Sequence, residues 1–165
     1  MIRFIEQKDF EQFYQIWKEG LGISLSPGFD YKLGDSFYQD FFEKSIENQN
    51  RNFRIWGYFE ESELLGWQSL LSCQSSPILY NSFAQSSTYI REIGRKKGLA
   101  AQLLTAAINY ARQESELSYI LAYIGNEHLS AQKIAAIFSF TRIGALPTTK
   151  NHKNLPEFSI WALEL

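Results

Sequence analysis

The stretch Ser87–Gln113, S-T-Y-I-R-E-I-G-R-K-K-G-L-A-A-Q-L-L-T-A-A-I-N-Y-A-R-Q, restricts what this chain can fold into more than any other. Ala100, Leu103, Leu104, Ala107, Ile108 and Ala111 recur at three- and four-residue spacing, the pattern of a helix that buries one face. Tyr89 and Ile90, just upstream, supply a strand that aims the intervening loop. That loop carries Arg95, Lys96 and Lys97 at a helix end that the aligned peptide dipoles already make positive, a placement costing roughly 0.3–1 kcal/mol per charge. A bound anion removes the conflict. Gly98, with no Cβ, lets a ligand approach the unpaired N–H groups of the first turn. The stretch reads as a site for a phosphorylated cofactor; the alternative is a solvated basic run with Gly98 as a turn residue.

In this strand–loop–helix context, Arg95-Lys96-Lys97-Gly98-Leu99-Ala100 resembles the Arg/Gln-x-x-Gly-x-Gly/Ala motif of the GCN5-related N-acetyltransferase (GNAT) family. Ile90 stands at the family's apolar strand position, five residues before the arginine. The resemblance implies that the loop from Arg95 to Ala101, with Lys96, Lys97, Gly98, Leu99 and Ala100, holds the phosphates of acetyl-coenzyme A. It implies that N–H groups near Ile90 and Arg91 hold the pantetheine arm and polarise the thioester carbonyl. Asn126 and Ser130 resemble the family's Asn-x-x-(x)-Ser/Ala element, which touches the same arm; on its own chemistry Asn126 reads as a helix cap. Gln85-Ser86-Ser87-Thr88-Tyr89-Ile90 resembles the Glu-x-Ser-x-Tyr-Val stretch of the phosphinothricin-acetyltransferase-like branch.

The fold so implied is α/β (α+β mixed). It has a mostly antiparallel central sheet of six to seven strands, a splayed parallel pair and helices on both faces. The implied activity is transfer of an acetyl group from acetyl-coenzyme A to the primary amine of a small-molecule acceptor. A non-catalytic acyl-coenzyme A-binding module on the same fold is the alternative.

Composition narrows the remaining possibilities. With 165 residues, 45% of them hydrophobic and 21% charged, the chain suits one domain over residues 1–165. A net charge of −2 argues against a general nucleic-acid or membrane-surface partner, and the basic run is local. No Gly-Lys-Ser/Thr follows a glycine-rich loop, which disfavours a P-loop nucleotide hydrolase. Cys73 is the single cysteine, so no intrachain disulfide forms, and the two histidines give no metal-ligand spacing. A cytoplasmic setting is expected, since the start of the chain reads as a short strand and no run approaches 18 apolar residues. A monomer or a homodimer fits equally.

Along the chain, Asp9 is placed to cap a helix burying Phe10, Phe13, Tyr14 and Trp17, with Gly20 ending it. A second helix from about Asp35 is expected to bury Phe37, Phe41, Phe42 and Ile46. Helical spacing of so many aromatics points to core packing over a stacking surface. Phe53–Phe59 and Leu64–Cys73 read as an antiparallel hairpin, with Cys73 a buried structural thiol. A loop through Ser75, Ser76 and Pro77 leads to a strand over Ala84–Arg91. Ser118–Ile124 reads as a strand parallel to that one, followed after Gly125-Asn126 by a helix carrying Ser130, Ala131, Ile134, Ala135 and Phe138. Glu157–Leu165 alternates as the last strand.

Catalytic side chains are harder to assign. By the resemblance, Ile23–Tyr31 borders the acceptor pocket, Gln85 stands where the branch has a glutamate base, and Phe140 stands where many members have a tyrosine acid near the end of the last helix. Gln85 accepts no proton usefully near neutral pH. Either a water, Glu92, Tyr89 or Tyr123 takes that role, or the substrate arrives deprotonated, or the chain is a poor catalyst. His128 reads as an exposed or capping residue at the first turn of a helix, and His152 as part of a solvated hairpin loop.

Overall fold

The computed structural model describes residues 1–24, 34–72, 82–95, 97–146 and 157–165. In chain order these form β1 (Ile2–Phe4), α1 (Phe10–Ser24), α2 (Asp35–Glu47), β2 (Arg54–Glu60), β3 (Glu63–Ser72), β4 (Phe83–Ile90), α3 (Leu99–Glu114), β5 (Tyr119–Gly125), α4 (Leu129–Ile137), β6 (Thr141–Leu146) and β7 (Phe158–Glu164). The described strands make one sheet in the order β1-β2-β3-β4-β5-β7-β6. Every neighbouring pair is antiparallel except β4 with β5. This is the mixed sheet with one parallel pair that the sequence implies. Among the described residues no helix is long and apolar enough to cross a membrane.

Period-two alternation in β3 and β4 sends side chains to two separate cores. On one face α3 lays Leu103, Leu104, Ala107, Ile108 and Ala111 against Trp56, Leu70, Ala84 and Ile120. On the other face α1 and α2 bring Phe13, Tyr14, Trp17, Phe42 and Ile46 onto Ile55 and Trp67. The Phe13 and Trp67 rings lie 4.4 Å apart, and Trp67 Nε1 donates to the Phe13 carbonyl at 3.1 Å. Fully burying side chains of this size contributes about 1.5–3 kcal/mol each. The aromatic richness is thus packing in the main. Tyr14 donates to Asp35 Oδ1 at 2.6 Å and ties α1 to the start of α2; burial first, then that hydrogen bond, pushes its phenol up from the ordinary range.

Several expectations need correction. Gly20 does not end α1, which continues to Ser24. Its role is packing, because Tyr89 lies directly against it. Asp9 sits in a 3-10 turn over Gln7–Asp9, where it accepts the Glu6 N–H and a two-pronged bond from Arg3 at 2.7 and 2.8 Å. Phe37 and Phe41 are 50% and 47% exposed, since α2 presents Phe42 and Ile46 inward and turns the neighbouring row outward. Ala100 is only half-buried, and Leu99 takes its expected place in the core.

The region around Phe140 differs most. α4 stops at Ile137; the Ser139 N–H reaches the Ala136 carbonyl and the Phe140 N–H the Ala135 carbonyl, with Ser139 at φ 65. This double bond pattern is a helix stop with a left-handed residue. It turns Phe140 into the α3-side core, 6% exposed, and releases the chain into β6 in place of a helix end. Cys73, the Ser75–Pro77 loop, His152, Lys96 and all of Ile23–Tyr31 except helical backbone at its start lie outside the described residues.

Candidate functional site

β4 and β5 share four rungs, from Phe83 opposite Tyr119 to Ser86 opposite Ala122. Past them β4 stays paired to β3 as far as Ile90, and β5 stays paired to β7 as far as Gly125, so the two strands part and leave a gap between them. The Arg91 N–H donates to the Leu65 carbonyl at 2.9 Å. Backbone groups alternate sides along an antiparallel pair, so those of Arg91, Tyr89 and Ser87 face β3 while those of Ile90 and Thr88 face the gap. The N–H and carbonyl of Ile90 are therefore turned toward the gap. The N–H of Arg91 is donated to β3. The Arg91 guanidinium instead fastens the end of β4 to its surroundings, 2.6 Å from Glu63 Oε1 and 3.7 Å from Glu19 Oε2.

After a 3-10 turn at Glu92–Gly94, the chain reaches Gly98 at φ 74 and ψ 12, a left-handed conformation that favours glycine. A Cβ built there would meet nothing within 4 Å, so the requirement is conformational and the space above the residue is open. The first helical bond runs from the Gln102 N–H to the Gly98 carbonyl at 3.1 Å. The N–H groups of Leu99, Ala100 and Ala101 accordingly have no partner within the helix, and among the described residues no side chain caps them. No acidic residue lies in the first turn, while Arg95 and Lys97 are exposed beside it. Arg95 Nε also donates to the Ile90 carbonyl at 3.3 Å, linking loop and strand. Donors, dipole and cations converge at the carboxyl end of β4, at the mouth of the gap. Such a place suits an anion.

Asn126 and Ser130 stand across the gap on the β5 side. The Asn126 N–H donates to the Glu157 carbonyl at 2.8 Å, its Nδ2 to Glu157 Oε2 at 3.2 Å, and its Oδ1 accepts from Ser159. Its carbonyl accepts from Gln132 Nε2 at 2.8 Å. Asn126 thus pins β7 to the β5–α4 turn, and the N-cap position of α4 belongs to exposed His128. Ser130 is exposed in the first turn of α4.

The groups considered for proton transfer are dispersed. Gln85 is half-buried in the paired part of the sheet, opposite Leu71 on one side and Leu121 on the other. Glu92 is exposed on the turn beyond β4. Tyr89 leans on Trp67 with ring centroids 4.7 Å apart. Tyr123, 38% exposed, is the first residue of β5 past the last shared rung. By alternation Tyr89 and Tyr123 flank the gap from opposite strands on the face that α1 covers.

One polar residue near the gap escaped the sequence reading. Gln68, in β3, is fully buried and hydrogen-bonded to both Ser86 and Thr88. Its signal was a lone amide inside the mostly apolar run Leu64–Leu71, which period-two reading treats as ordinary strand.

A family model described as the acetyltransferase (GNAT) domain matches residues 2–156. No curated protein matches the chain by sequence. Among solved structures, yncA of Salmonella typhimurium, a candidate acetyltransferase solved with its cofactor acetyl-CoA, is similar at 17% identity and TM-score 0.82, covering 100% of this chain and 93% of its own. Ribosomal-protein-alanine N-acetyltransferase from Brucella melitensis shares 15% identity at TM-score 0.82, with 100% and 99% covered. A candidate phosphinothricin N-acetyltransferase shares 20% identity at TM-score 0.83, with 100% and 98% covered. At these identities the likeness is one of fold.

Proposed function

The chain belongs to the GNAT acetyltransferase family, and from that premise we propose that it transfers an acetyl group from acetyl-coenzyme A to the primary amine of a small-molecule acceptor. The observation that carries this reading is the uncapped, cation-flanked start of α3 at the mouth of the β4–β5 gap. Three N–H groups without a partner in the helix, the charges of Arg95 and Lys97 and the open space above Gly98 fit a pyrophosphate. The unpaired edge of β4 at Thr88 and Ile90 fits an amide-bearing arm lying alongside it.

When bound, the cosubstrate supplies an acetyl group activated as a thioester. Leu99, Ala100 and Ala101 hold its phosphates through backbone N–H groups, with Arg95 and Lys97 adding charge. The gap-facing N–H of Ile90 and Thr88 orients the arm and donates to the thioester carbonyl, where negative charge develops during transfer. Gln85 cannot take the proton that the attacking amine must lose. That proton leaves through a hydroxyl or a water at the gap, on the face where Tyr123 is exposed.

A second reading, a non-catalytic acyl-coenzyme A-binding module, is favoured by Gln85 lying between two leucines and by the burial of Phe140. One experiment separates the two. Acetyl-coenzyme A is titrated calorimetrically into the protein and into an R95E/K97E variant, and thiol release is then followed over a panel of amines. Micromolar binding that the variant loses, with turnover of an amine, supports transfer. Binding without turnover supports the second reading, and absence of binding overturns both.

A further inference from the structure

Gln68 is fully buried, yet it lies where β4 is about to leave β5. Its Nε2 donates to the Ser69 carbonyl at 2.8 Å and to Ser86 Oγ at 2.9 Å, and its Oε1 accepts from Thr88 Oγ1. A carbonyl oxygen can only accept, so the Ser69 contact fixes which end of the amide is nitrogen. The rest follows from donor and acceptor counting. With both amide protons used, Oε1 faces Thr88 and can only accept, so the Thr88 hydroxyl must give its proton to Gln68. Thr88 is left as an acceptor toward any other group. Ser86, whose oxygen already accepts from Gln68, is left with its proton to donate, and among the described residues nothing takes it.

One buried amide therefore sorts two hydroxyls on β4 into an acceptor and a donor. They project from the same face of the strand, two residues and about 7 Å apart. Ser86 sits on the last rung shared with β5, half-buried; Thr88 is past it and exposed. The complementary ligand carries an N–H and a carbonyl in the same extended segment, which is the chemistry of a secondary amide. The pantetheine arm of coenzyme A contains two such amides.

Resting on the functional reading above, we propose that Gln68 is a positioning residue that fixes Thr88 as acceptor and Ser86 as donor toward the amide groups of the pantetheine arm. A net hydrogen bond of ordinary strength makes each contact worth roughly three- to ten-fold in affinity.

The test measures dissociation constants for coenzyme A and for 3′-phosphoadenosine 5′-diphosphate, the same nucleotide without the arm. Thr88→Val is expected to weaken coenzyme A three- to ten-fold and to change the nucleotide by less than two-fold, with Thr88→Ser close to wild type. Gln68→Leu is expected to give the same selective loss, and the double variant to lose less than the two single losses added together, since Gln68 acts in part through the Thr88 hydroxyl. Unchanged coenzyme A binding in Thr88→Val overturns the proposal, as does an equal loss of both ligands in Gln68→Leu. If Gln68→Leu does not fold, the contrast of Thr88→Val with Thr88→Ser decides alone. Wild-type protein that binds neither ligand refutes the functional reading itself, and binding of both with no Thr88 effect refutes only the role of the sorted hydroxyls.

Discussion

Gly20 on α1 and Tyr89 on β4 approach so closely that a Cβ built on the glycine would stand 2.2 Å from Cδ1 of the tyrosine ring. The ring is backed by Trp67, 4.7 Å away between centroids, so it cannot simply retreat. Alanine within a helix gains about 0.5–1 kcal/mol over glycine, while overpacking costs about 1–3 kcal/mol. The clash wins. Gly20→Ala is expected to lose roughly 1–2 kcal/mol in denaturant unfolding, and combining it with Tyr89→Ala should recover part of that loss. Strict additivity of the two changes would contradict the contact.

Gly98 requires its conformation and not its small size. Gly98→Ala is expected to cost about 1–2 kcal/mol of stability through the left-handed backbone, and Gly98→Asn less. Both place atoms in the space above the α3 start, so acetyl-coenzyme A affinity should fall in both. Equal melting temperatures for glycine and alanine at this position would show that the backbone does not need the left-handed region.

Arg3 and Asp9 make the chain sensitive to acid. Burial acts to push the Asp9 carboxyl up, but the Arg3 hydrogen bonds and the Glu6 N–H together hold it below the ordinary carboxylate range. A depressed carboxylate stabilises the fold above its unfolded value near about 4 and loses that contribution as pH falls through the folded value. Urea midpoints measured downward from pH 6 should drop below about pH 4. Asp9→Asn, expected to cost roughly 1–3 kcal/mol at neutral pH, should flatten that part of the profile; a parallel profile would assign the acid sensitivity elsewhere.

Phe140 and Tyr123 are expected to behave in opposite ways. Phe140→Tyr puts a hydroxyl into the α3-side core, where an unpaired polar group costs about 1–3 kcal/mol, and should not raise turnover. Tyr123→Phe should leave stability and acetyl-coenzyme A binding intact but lower kcat about ten- to a hundred-fold with the accepted amine. Steady-state kinetics beside melting curves distinguish these outcomes.

Much of the site region was legible because local and global signals agree there. The period of Leu103, Leu104, Ala107 and Ile108, the cations before Gly98 and the apolar strand at Ile90 all lead to one strand–loop–helix unit, and the structure has it. Where a residue type carries two meanings, the reading failed. Gly20 looked like a helix stop because glycine often is one, whereas what it meets is a ring 69 positions away in sequence, invisible to spacing. Phe140 reads as lying near the end of the last helix because the left-handed turn at Ser139, which releases the chain into β6, uses no glycine. Phe37 and Phe41 share the i,i+4 spacing of a core row, but which row faces inward is set by the neighbours α2 packs on. Gln68 was passed over because a buried amide is recognisable only from its partners.

The four rungs between β4 and β5 give the sheet the character of a seam sewn at one end. On one side lie β1, β2, β3 and β4, on the other β5, β7 and β6, and among the described residues the rows of strand pairing cross between them only from Phe83 to Ser86. A ligand lying in the open half would complete the stitching and act as a missing strand. Amide hydrogen exchange at Thr88 and Ile90 should then slow when acetyl-coenzyme A is added, and the midpoint of thermal unfolding should rise with its concentration.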